Sequence, residues 1–158
     1  MIAIVLFIMF SLYLGLELIR IAPVYLRELR NENVRSEVYQ VSELLINDPG
    51  EPADWENFPS AIRRIGLNSK RENRTNLLSS DKIRMFNQIC EVQGRYDDVA
   101  KWIGTDYQFY IIMINKTDDA VLINCYPQDV TAKEINATIS RLVAFDSGDF
   151  GELIVQMW

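Results

Sequence analysis

Residues 1–26 read MIAIVLFIMFSLYLGLELIRIAPVYL, and all but Ser11, Gly15, Glu17, Arg20 and Pro23 are apolar. As an α-helix rising 1.5 Å per residue this stretch spans about 39 Å, enough to cross a hydrocarbon core of about 30 Å. The other 132 residues are about 42% apolar, ordinary for a globular domain. Three fates compete for the stretch. A cleaved secretory signal calls for a basic n-region and a small-x-small cleavage site, and the run opens at residue 1 and leads into Ile21, Ala22 and Pro23 instead. The others are a single-pass anchor and a helix stored in a membrane before packing against copies of itself.

The helical signal outlasts the membrane length. Val34, Val38, Val41 and Leu45 recur at i, i+4, i+7 and i+11, one stripe of a continuing helix. Pro49 disfavours helical backbone at Asp48, and Gly50 supplies a turn, so the helix should end near Asn47. Its length comes to about 70 Å. Pro23 should bend it, because the ring removes one hydrogen bond and crowds the carbonyl four residues back. Glu17 and Arg20 share a helix face and can pair locally, either at a membrane exit or inside a bundle of like helices.

The chain therefore divides into a long helix over residues 1–47 and a globular head over 48–158. Residues 48–79 are rich in Pro, Asn and Ser without a sustained period, and should run over the surface. A second, amphipathic helix should start at Ser80-Asp81 and end at Gly104, with Ile83, Phe86, Ile89 or Cys90, Tyr96, Val99 and Ile103 on its apolar face. Residues 106–114, 120–126, 135–145 and 150–158 are rich in β-branched and aromatic residues and read as strands. Hairpin turns at 115–119 and 146–149 join the first two and the last two. The expected head is α+β, with one further helix and a four-stranded antiparallel sheet. In the third strand Ile135, Ala137, Ile139, Val143 and Phe145 fall on an apolar face opposite Asn136, Thr138 and Ser140, with Arg141 a misfit on the apolar side.

There is no histidine, which excludes a Ser-His-Asp triad, a Cys-His pair and His-ligated zinc. A net charge of -6 argues against nucleic acid as a partner. Asp97-Asp98 and Asp118-Asp119 lack the spacing of a calcium loop, and no phosphate-binding glycine loop, dinucleotide fingerprint or G-x-S-x-G occurs. No catalytic residue, metal site or cofactor is proposed. Trp55, Trp102 and Trp158 read as packing anchors.

Three N-x-S/T sequons, at Asn73, Asn115 and Asn136, all follow the long helix, as glycans or as unused tripeptides. Cys90 and Cys125 can tie helix to sheet outside a reducing cytoplasm, for about 3–4 kcal/mol, or stay buried thiols. Arg63, Arg64, Lys70, Arg71 and Arg74 form a basic cluster opposed by Glu72, while residues 91–158 are acidic. These opposite signs suit contacts between neighbouring copies.

The apolar start, SELLINDPGEPADWENFPSAIRRIGL over 42–67, LSSDKI, GTDYQFYIIMI from Gly104 and the closing GELIVQMW, in this order, resemble archaeal type IV pilin-like proteins. The resemblance implies a precursor with a short basic leader cut by a prepilin peptidase, storage in the membrane, and extraction by a pilus assembly machinery into a homopolymer. Val5 stands where many such pilins carry glutamate. The core of the filament would then hold Ile4, Phe7, Ile8, Leu12, Leu14, Glu17 and Arg20, with a glycosylated adhesive head at the cell surface. The alternative is a single-pass membrane-anchored extracytoplasmic binding domain.

Overall fold

The computed structural model describes residues 2–69, 76–128 and 135–158. The first helix, α1, runs Ile2–Asn47 and continues through Pro23. Contacts divide the chain into two compact units, Met1–Asn33 and Val34–Trp158. The first is helical. The second takes in the end of α1, because Val34, Val38, Val41, Leu45 and Ile46 are buried in the same core as the sheet. The periodic valine stripe is thus what recruits this stretch into the head.

The head departs from the sequence expectation in its sheet, in its second helix and in the segment that follows α1. Its sheet is mixed and has five strands: β1 (Leu77–Leu78), β2 (Phe109–Asn115), β3 (Val121–Cys125), β4 (Ala137–Phe145) and β5 (Phe150–Met157), in the order β1-β4-β5-β2-β3. The four expected strands form the antiparallel part, and β1 adds to β4 in parallel, with Leu77 opposite Ala144. A two-residue strand carries no alternation that periodicity could detect. The expected single second helix is α2 (Ser80–Asn87), a π-helical turn (Gln88–Val92) and a separate α3 (Tyr96–Ile103). Gly94 adopts φ +64° at the break, a conformation other residues rarely take.

Along β4, Ala137, Val143 and Phe145 are buried, Ile139 and Arg141 half-buried, and Thr138, Ser140, Leu142 and Ala144 exposed. The inner face of the sheet, including Phe109, Ile111, Met113, Ile123, Leu153, Val155 and Met157, shares one core with α1 from Val34 onward, α2 and α3.

Residues 48–69 do not merely skirt the surface. Trp55, Ile62, Ile65 and Leu67 are buried, and two short 3-10 turns, Trp55–Asn57 and Pro59–Ala61, fold the segment inward. The burial is possible because backbone and indole groups along it are paired, although Glu56 Oε2 is buried without a hydrogen-bond partner among the described residues. Trp55 Nε1 donates to Gly66 O (2.8 Å), Glu51 N to Arg64 O (2.8 Å), and Leu67 N to Leu45 O (2.8 Å). Gly66 is required there, since a side chain would overlap the Asp48 carbonyl. Lys82 is also buried, its ammonium donating to Pro49 O (2.6 Å) and Asn68 O (3.0 Å).

Candidate functional site

The residues expected to make a filament core lie on the first unit. Ile4, Phe7, Ile8, Leu12 and Leu14 are all exposed, and exposure of the large apolar residues from Ile4 to Ile21 runs from 46% at Leu14 to 73% at Ile19. They occupy every side of the helix rather than one stripe. A stripe is what a helix needs to lie on a globular core, whereas an all-round apolar surface needs a bundle or a bilayer. By length and composition this helix can cross a membrane, a test that a signal sequence also passes. Glu17 is half-buried and Arg20 exposed, and the expected local pair is not formed: neither makes an ion pair among the described residues. An exposed pair gains little over two hydrated charges, so nothing in the single chain holds these side chains together.

On the head, Cys90 of the π-helical turn and Cys125 of β3 form a disulfide, with Cα atoms 5.5 Å apart. Asn87 reinforces this edge, its Oδ1 accepting from Asn124 N at 2.9 Å. The start of α2 is held by Asp146 Oδ1, which accepts from Ser80 N (3.0 Å) and Ser80 Oγ (2.5 Å). This carboxylate from the β4–β5 turn satisfies an otherwise orphaned helix donor. No local motif marked it, because the partner lies 66 positions away.

The sequons occupy different settings. Asn115 ends β2, and its Oδ1 accepts from Thr117 N at 2.8 Å, an Asx turn in the β2–β3 connection. Asn136 is half-buried just before β4 rather than within the strand, with its N–H donating to Met157 O at 3.0 Å. Asn73 lies outside the described residues, as do Lys70, Arg71 and Arg74. Arg63 and Arg64 find partners within the head: Arg63 with Glu51 (3.7 Å), and Arg64 with Asp48 (3.0 Å) and Glu51 (3.8 Å).

Electrostatics on the head are local. Glu152 is held below the usual carboxylate range by hydrogen bonds from Lys116 and Ser140, and Lys116 is raised in turn by the same carboxylate, 2.7 Å away. Asp98 is lowered chiefly by its hydrogen bond to Arg95 at 2.8 Å. Tyr96 is pushed up to about 12 by burial, and its hydroxyl donates to Phe109 O (3.1 Å) and accepts from Phe109 N (2.8 Å). Among the described residues no three His, Cys, Asp or Glu side chains gather as a metal site.

Comparison with family models, curated proteins and solved structures finds no match to this chain. Its own architecture is a long apolar N-terminal helix followed by a sheet-containing head, consistent with a pilin-like plan.

Proposed function

We propose that this protein is the structural subunit of an extracellular filament of the archaeal type IV pilus kind, polymerising through residues 1–26 with the head facing solvent. The observation that carries the reading is the apolar surface wrapping the whole helix from Ile4 to Ile21, exposed in the single chain. Patches of that size on a soluble chain mark an interaction surface, and copies of the same helix offer matching apolar surfaces. The disulfide supports a head that matures outside a reducing compartment. On this reading the membrane holds the subunit before assembly, a prepilin peptidase and an assembly machinery process and extract it, and the head carries glycans and makes adhesive contacts. On this reading the subunit's role is structural rather than catalytic.

A single-pass anchor for an extracytoplasmic binding domain is the second reading, supported by a helix long enough to cross a bilayer. The pair Ile8→Asp and Leu12→Asp in the full chain separates the two. A charge in a dry helical bundle is strongly disfavoured. The filament reading expects polymer in the unaltered protein and none in the variant, with near-ultraviolet circular dichroism of the head unchanged. Cells making the unaltered protein that show no polymer, with the variant merely released from membranes, would contradict it.

A further inference from the structure

A cavity of about 470 Å³ opens between α2 and the turns that join β2 to β3 and β4 to β5. Such a volume lies in the range of small-ligand pockets. Ile83, Val121, Leu122 and Phe145 supply its apolar walls, and Arg84 and Asp149 are among its polar groups. Ile83 and Phe145 are buried, but Val121 is 56% exposed. Asn115 lines the same cavity, and it heads the sequon Asn115-Lys116-Thr117. The Asx turn engages only the side-chain oxygen of Asn115, leaving Nδ2 without a hydrogen-bond partner among the described residues. Lys116 and Thr117 are exposed, so an enzyme can reach the tripeptide.

We propose that Asn115 bears an N-linked oligosaccharide whose first sugar folds back into this cavity, so that the glycan is a packing element of the head. The inference rests on the extracytoplasmic head of the reading above. The transfer forms a bond between Asn115 Nδ2 and the anomeric carbon of the sugar. It breaks the bond from that carbon to the phosphate oxygen of a lipid-linked oligosaccharide; the amide proton goes to the transferase, and the lipid phosphate leaves. The sugar's C–H face then covers Val121 and Leu122, while its hydroxyls meet Arg84 and Asp149. Asn136 is not among the residues lining this cavity, so a glycan there gains no such contact.

The test is glycopeptide mass spectrometry on native full-length protein, followed by melting of the unaltered chain, Thr117→Ala and Asn136→Gln made in the same cells. Thr117→Ala removes the acceptor signal but keeps Asn115. It should lose the mass of one glycan and melt about 3–6 °C lower, whereas Asn136→Gln should stay within about 1 °C of the parent. Thr117 Oγ1 also approaches Asp149 Oδ1 at 3.4 Å, so the parent and Thr117→Ala are compared again from a host without N-glycosylation, where they should melt together. A glycan at Asn115 whose loss leaves the melting temperature unchanged overturns the proposal, as does a difference that persists without glycan. A bare Asn115 beside an occupied Asn136 overturns it while the glycosylated head stands. A wholly bare chain overturns both and leaves polymerisation to be judged by imaging.

Discussion

Arg141 Nη2 lies 2.7 Å from Glu43 Oε1, joining β4 to the end of α1 across 98 positions of sequence. The guanidinium also stands over the Tyr39 ring, 4.7 Å from its centroid. Arg141 is on the apolar side of its strand, and it is tolerated there because α1 brings a carboxylate and an aromatic face to it. Its Nε is buried without a hydrogen-bond partner among the described residues, so the arrangement is not fully compensated. Glu43→Ala should therefore cost about 1–2 kcal/mol, a range lowered from that of a fully buried pair because both side chains keep roughly a third of their exposure. The double variant Glu43→Leu with Arg141→Leu should recover most of that loss, read as the midpoint of urea unfolding. A double variant weaker than Glu43→Ala would refute this view of the pair.

The Cys90–Cys125 disulfide closes a loop with a sequence separation of 35. Reduction, or replacement of both cysteines by alanine, should lower stability by about 3–4 kcal/mol through the freed unfolded chain. Equilibrium unfolding with and without reductant measures it. An unchanged midpoint would show that Asn87 and the core already hold β3 in place.

Glu152 on β5 and Lys116 just after β2 add a pH dependence of their own to the head. A carboxylate lowered in the folded state contributes stability above its unfolded value of 4.5, lost as pH falls through the folded value. A raised lysine contributes fully below 10.5 and loses its share as pH rises through the folded value. This pair's contribution is therefore flat between those limits and falls on both sides. Glu152→Gln should flatten the decline in melting temperature between about pH 5 and pH 3. An equally steep decline in the variant would assign it elsewhere.

Tyr96→Phe removes the hydroxyl that Phe109 N donates to, leaving a buried N–H unpaired. The expected loss is about 1–3 kcal/mol, measured by denaturant unfolding. In the unaltered protein the buried hydroxyl adds a second alkaline effect. Because its pKa is raised from 10.0 to about 12, its contribution is full below 10 and is lost as pH rises through the folded value.

The long helix and the four antiparallel strands were legible because each repeats a pattern over many residues, such as the apolar run, the valine stripe and the alternation along β4, and the helix end at Asn47 because Pro49 and Gly50 mark it locally. Leu77–Leu78 was not, since a parallel strand of two residues exists only through its register with Ala144 and Phe145. Trp55 reads as a packing anchor from its size alone, but Ile62, Ile65 and Leu67 give no core signal, because their spacing fits neither a helix nor a strand and their burial depends on distant partners such as Leu45. Gly94 offered a local signal for the break between α2 and α3, but the apolar spacing runs on through it. At the candidate site the sequence named Asn115, Cys90 and Cys125, while the cavity beside Asn115 arises from three segments that only the fold assembles.

Helical reconstruction from electron micrographs of the native full-length protein, taken from the cells that make it, decides whether copies of the apolar helix pack against one another. The expected result is a filament whose interior is filled by the Ile4–Ile21 surfaces of many copies, with β2 to β5 on the outside. Separate molecules that stay soluble only in detergent, with no fibre on the cells, would contradict it.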